Sequence, residues 1–141
     1  MSFLLNTNVI SEPLRPHPDS NVITWLASAD EDRLFISVVT LAELHSGVER
    51  LPAGAKRRRL EEWLESELPL RFEGRILPID TKIADACGKS VARCLDLGRP
   101  IEAMDAFIAA TAEVHNLTLV TRDVSDFQPI LKSLLNPWIG P

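Results

Sequence analysis

Four polar residues in this chain could share one piece of chemistry. Asn6 follows the apolar run Phe3-Leu4-Leu5, Glu43 lies in "TLAELHSGVERL", Asp105 in "EAMDAFIAATAEV", and Asp123 closes "LTLVTRD". Three are acids, and carboxylates gathered at one buried mouth repel one another unless a cation neutralises them. An all-oxygen donor set of this kind favours Mg²⁺ or Mn²⁺ over zinc. Rival chemistries lack their residues. His17 sits between prolines, His45 and His115 fall in separate helical stretches, and there is no HExxH, CxxC, Gly-rich phosphate loop or GxSxG.

Each residue also has a plainer reading. Glu43 stands three residues after Thr40, the spacing of a capping box. Asp105 can be a solvated helix residue, although Ala103, Met104, Ala106, Phe107 and Ala109 surround it with apolar neighbours. Asp123 can be an ordinary turn residue after a strand. The order of the surrounding elements weighs against three coincidences.

Phe3–Leu5 reads as a buried strand, and Ser11, Glu12 and Pro13 open the proline-rich loop "EPLRPHPDS". Asp19 or Ser20 then caps a helix whose apolar face carries Val22, Ile23, Trp25, Leu26 and Ala29. "RLFISVV" (33–39) is a strand, followed by a helix over 40–51 with Thr40 as its N-cap. Gly54 opens a second helical stretch, "AKRRRLEEWLESEL", which Pro69 stops. "GRILPID" (74–80) is a strand, and Asp80 or Thr81 caps a helix that runs to about Leu97 and ends at Gly98. A helix over 100–116, a strand over 117–123, and a short helix or loop with a last edge strand complete the chain. This alternation predicts an α/β fold: one domain over 1–141, with a central, mainly parallel sheet and helices on both faces. Ligands of such sheets bind beyond the carboxyl ends of the strands. Asn6 and Asp123 each follow a strand directly, and Glu43 and Asp105 lie early in helices, so all four can meet there.

Composition is compatible with this picture. The 141 residues include 45% hydrophobic and 25% charged residues, an ordinary globular balance. Net charge is −5, from 15 basic and 20 acidic residues, which excludes a chain coated in positive charge for non-specific nucleic-acid binding. The densest basic run, "KRRR" (56–59), is either a phosphate contact or a solvated face paired with Glu61, Glu62 and Glu65. Cys87 and Cys94 sit on one helical stretch, about 10 Å apart along its axis, too far to bridge. They read as buried thiols of a reducing compartment. No apolar run approaches the roughly 18 residues of a membrane span, so the expected location is the cytoplasm, away from membranes.

The segments "LLNTNVISEPLRP", "FISVVTLAELHSGVERL", "GRILPID", "EAMDAFIAATAEVHNLTLVTRDVSDF" and "NPW" together resemble the PIN-domain family. More closely they resemble the VapC-type toxins of bacterial toxin–antitoxin pairs, in the FitB-like branch. The resemblance covers essentially the whole chain. It implies a metal-dependent endoribonuclease in which an acidic quartet binds Mg²⁺ or Mn²⁺ and activates water for phosphodiester hydrolysis. The quartet falls on Asn6, Glu43, Asp105 and Asp123, with Thr7 and Asn8 beside the first position and Thr121 two before the last. Asp126 is a further acid near the same mouth. The resemblance also implies a VapB-like antitoxin as partner, contact with DNA only through that antitoxin, and a homodimer.

Position 6 departs from the family pattern, "LLDTN", by carrying asparagine. An amide offers a cation one oxygen but no charge. Three explanations stay open: a toxin disarmed so that it can be produced without its antidote, a degenerate toxin kept as a binding module that sequesters its partner, or hydrolysis carried by the three remaining acids. For the binding module, "NVITWLASA" and "LEEWLESEL" could supply an apolar groove through Trp25 and Trp63.

Overall fold

Leu4 and Leu5 point to opposite faces of their strand and thereby seed two cores. In the computed structural model, which describes residues 1–140, that strand is β1 (Phe3–Leu5). It is joined by β2 (Leu34–Ser37), β3 (Ile76–Leu77), β4 (Thr118–Val120) and β5 (Leu134–Leu135). All pair in parallel, in the order β3-β2-β1-β4-β5. Leu5, Leu34, Ile36 and Val120 face one core, while Leu4 and Leu119 face the other.

The first core is closed by Val9 and Ile10 of α1 (Thr7–Ser11), Val22 of α2 (Ser20–Ser28), and Leu44 and Val48 of α3 (Val38–Glu49). Helix α4 (Ala55–Glu62) leads through a π-helical turn, Trp63–Glu67, into α5 (Leu68–Arg71), which adds Leu68. The second core is closed by Cys94 of α6 (Thr81–Asp96), Ile108 and Ala109 of α7 (Ala103–Val114), and Phe127 of α8 (Val124–Phe127). The α/β fold with helices on both faces of a parallel sheet is thus the one expected. Both cysteines are buried and free.

Three local expectations need correction. Thr7–Ser11 is a short helix and Glu12–Leu14 a 3₁₀ turn, where the sequence suggested a loop opening at Ser11. Asn6 causes this: its side-chain oxygen accepts the Thr7 N–H at 2.9 Å and turns the chain straight from strand into helix. Pro69 does not stop its helix. The Leu68 N–H reaches back to the Trp63 carbonyl, five residues away, so the ladder changes register just where proline has no N–H to offer. Thr40 is not an N-cap. Ser37 is, its hydroxyl accepting the Val39 N–H at 3.0 Å, so α3 starts at Val38 and Glu43 sits in its second turn. No capping box forms, and Glu43 is released for other contacts.

Ser37→Ala is expected to lower stability by about 1 kcal/mol in urea unfolding, the usual cost of losing a cap. The same substitution should loosen the start of α3, read as faster amide exchange at Val39.

Candidate functional site

The parallel registers decide which side chains meet. Phe3 pairs with Thr118 and Leu5 with Val120, so the next residues along, Asn6 and Thr121, emerge side by side at the carboxyl edge. Both are buried, Asn6 at 6% exposure and Thr121 at 0%. The Asn6 Nδ2 donates to Thr121 Oγ1 at 2.9 Å, and its Oδ1 is engaged by the Thr7 N–H. The amide is therefore fixed in orientation, because only an oxygen can face that N–H. Thr121 Oγ1 also accepts the Asp123 N–H at 3.0 Å, which turns the chain after β4 so that Asp123 lies at the same edge.

Two further pairs close the arrangement. Thr7 Oγ1 stands 2.6 Å from Glu43 Oε1 and 3.1 Å from the Thr40 hydroxyl, tying α1 to α3. Asn8 Nδ2 donates to Asp123 Oδ2 at 3.1 Å, tying α1 to the end of β4. The Asn8 Oδ1 is buried and has no hydrogen-bond partner. An unpartnered buried oxygen is costly and marks a place where something else can bind.

Asp105, third residue of α7, is half-buried. Its carboxyl is pushed up from an ordinary 3.8 to about 6. Burial is the largest cause, and the negative charges of Glu43, Glu102, Asp126 and Asp123 add to it in that order. Acids from α3, α7 and the stretch after β4 thus act on one carboxyl, as the residue types alone suggested. Asp126 belongs to this set, lining a hollow of about 400 Å³ with Asp105 and Glu102.

Among the described residues no three His, Cys, Asp or Glu side chains stand close enough to hold a metal ion by themselves. The donors nevertheless suit a hard divalent ion that keeps part of its water shell: all are oxygens, one is the orphaned Asn8 Oδ1, and burial with the neighbouring acids pushes the Asp105 carboxyl up. Glu102 and Thr40 escaped the sequence reading. Glu102 immediately precedes α7, and Thr40 was assigned to a cap that Ser37 provides. Of the two tryptophans expected at an apolar groove, Trp63 lines one of about 470 Å³ shared with Thr7 and Glu43. Trp25 packs edge-on against Phe3, ring centroids 5.1 Å apart, and borders a separate hollow with Ile139.

Residues 3–128 match the PIN domain family. The chain belongs to that family. Toxin FitB of Neisseria gonorrhoeae is 43% identical over 135 residues, covering 96% of this chain and 97% of that protein. The VapC ribonuclease Y4jK of Sinorhizobium fredii is 36% identical, covering 96% of both. The fold superposes on FitAB bound to an IR36 DNA fragment with a TM-score of 0.92 at 40% identity, covering 97% of this chain and 96% of that one. Among the described residues of this PIN domain, no helix is long and apolar enough to cross a membrane.

In the metal-free protein Asp105 holds its proton more tightly when folded than when unfolded. Its contribution to stability is therefore complete below about pH 4 and is lost as pH rises through about 6. Asp105→Asn should flatten that dependence and raise stability at pH 7.5 by roughly 1 kcal/mol, allowing for solvent screening of a half-exposed group. Urea titrations at pH 4, 5, 6 and 7.5 in EDTA would show an unchanged slope if the assignment is wrong.

Proposed function

We propose that this PIN domain, spanning 1–141, is an endoribonuclease toxin of a type II toxin–antitoxin pair, weakened by asparagine at position 6. The observation that carries the reading is the convergence of Glu43, Asp105 and Asp123 on the buried Asn6–Thr121 pair, with Asp105 raised to about 6 by burial and like charge. Relatives named as ribonucleases and as toxins support the substrate class and the biological role.

When bound, Mg²⁺ or Mn²⁺ would supply an acidified water and positive charge for the phosphate oxygens. Asp105 and Asp123 are the residues that would hold it, with Glu43 completing the set and Asn6 contributing one neutral oxygen. Thr121 fixes the first and last of these positions relative to each other, since its hydroxyl meets both Asn6 and the Asp123 N–H. Thr7 orients Glu43, and Asn8 orients Asp123. An aspartate at position 6 would keep the cap on Thr7, while the Thr121 hydroxyl turns its own proton to the new carboxylate. The substitution is therefore sterically and hydrogen-bond neutral, and what it restores is charge.

The partner we propose is a VapB-like antitoxin, which would carry any contact with operator DNA; the protein itself would act in the cytoplasm as a homodimer. A second reading, a degenerate toxin that only sequesters its partner, draws on two features. Both ends of the Asn6 amide are held by hydrogen bonds within the scaffold, and an apolar groove lined by Leu14, Leu44, Leu51, Leu60 and Trp63 adjoins Thr7 and Glu43. A partner helix laid in that groove would end beside the acids.

The test is RNA cleavage by the chain and by Asn6→Asp, with Mn²⁺ or Mg²⁺ and with EDTA. The aspartate form should cut at least about a hundredfold faster, the order seen when one electrostatic group of a catalytic site is lost, and EDTA should stop it. Alanine at Asp105 or Asp123 in that background should abolish cutting. Equal cutting by both forms would remove Asn6 from the ligand set, and cutting by neither would favour the sequestering module.

A further inference from the structure

The acidic mouth that would attract a cation also repels the phosphates of an RNA strand, so something must hold that strand. Several cations of this chain are already engaged. Arg57 pairs with Glu49 and Glu61, Arg71 with Glu31, and Lys89 with Asp85, while Arg75 is bound to the carbonyls of Glu31, Leu34 and Arg71. Within "KRRR", Arg57 is thus a structural residue, part of the solvated-face reading.

Arg99 stands out by its place. Like Lys56, Arg58, Arg59 and several other cations it joins no ion pair among the described residues, but it is the cation that lines the hollow of about 400 Å³ containing Asp105, Asp126 and Glu102. Its position is fixed at both ends. Helix α6 finishes with Gly98 at φ 69°, the Gly98 N–H on Leu95 O at 3.0 Å and the Arg99 N–H on Cys94 O at 2.8 Å. This left-handed glycine closure delivers Arg99 to the rim of the hollow, and Pro100 stiffens the chain behind it. At the other end, Nη2 donates to the Ser125 carbonyl at 2.9 Å. That carbonyl is available because the residue four further on is Pro129, which has no N–H to give it. Ser125 lies between Asp123 and Asp126, so the guanidinium is pinned beside the acids without being neutralised by them.

We infer that Arg99 is the phosphate-binding residue of the site: it grips a non-bridging oxygen of a phosphodiester adjacent to the one cleaved. The inference rests on the nuclease reading given above. A guanidinium has five N–H donors in a fixed fork, and only one is spent on Ser125. The rest of the fork suits a phosphate, and its charge offsets the repulsion that Asp105, Asp126 and Glu102 exert on the strand.

The experiment uses Asn6→Asp protein and a short single-stranded RNA carrying a site that it cuts. Arg99→Gln should raise KM about tenfold, the worth of one charged hydrogen bond, and leave kcat within about twofold. It should also flatten the salt dependence of KM by about 0.7 in log–log slope, one phosphate contact on a single strand. Arg99→Lys should recover the salt slope, and Lys89→Gln should change neither quantity. Methylphosphonates placed singly on either side of the cut should include one that raises KM for the parent and not for Arg99→Gln. Unchanged KM and salt slope in Arg99→Gln, an equal effect of Lys89→Gln, or strictly additive methylphosphonate effects would each overturn the inference while leaving the nuclease reading intact. Failure of the Asn6→Asp protein to cut any RNA would overturn the nuclease reading itself and this inference with it.

Discussion

The pairing of β1 with β4 is the constraint on which the rest of this structure depends. Parallel register sets Leu5 beside Val120 and so Asn6 beside Thr121. A slip of one residue would exchange the faces of Leu4 and Leu5, break both cores, and part the two polar residues. Apolar burial on the two faces therefore enforces the polar geometry at the edge.

Electrostatics then determines what the edge can do. Acids on α3, on α7 and after β4 are too near one another to be indifferent, and burial together with that repulsion pushes the Asp105 carboxyl up. A site with that tension accepts positive charge readily. Asparagine at position 6 adds no charge to it and serves the scaffold, since its amide caps α1 and bonds Thr121 at once. Arg99 stands apart as a cation held beside acids by a carbonyl, not by the acids themselves.

The fold was legible in the sequence wherever apolar pattern and punctuation agreed. Asp80 and Gly98 mark the ends of α6, and the run 33–39 locates β2, although its last two residues, Val38 and Val39, begin α3. It was not legible where two residues competed for one role. Thr40 has the right spacing to Glu43 for a capping box, but Ser37 lies earlier and its buried hydroxyl takes the cap. Pro69 signals a stop in any chain read one residue at a time, and only a change of hydrogen-bond register lets the helix pass it. The convergence of Asn6, Glu43, Asp105 and Asp123 could be anticipated from their places after strands and early in helices. Thr7 as the tether of Glu43 and Arg99 as the cation held at the acidic hollow could not, because both depend on contacts between segments far apart in sequence.

Under the proposed function, charge at position 6 governs how firmly the site holds a divalent ion. Calorimetric titration of Mn²⁺ into the chain and into Asn6→Asp tests it without any substrate. The account predicts binding at least about tenfold tighter in the aspartate form, since even indirect partners of a metal are worth that much. Equal affinities in the two proteins would contradict it.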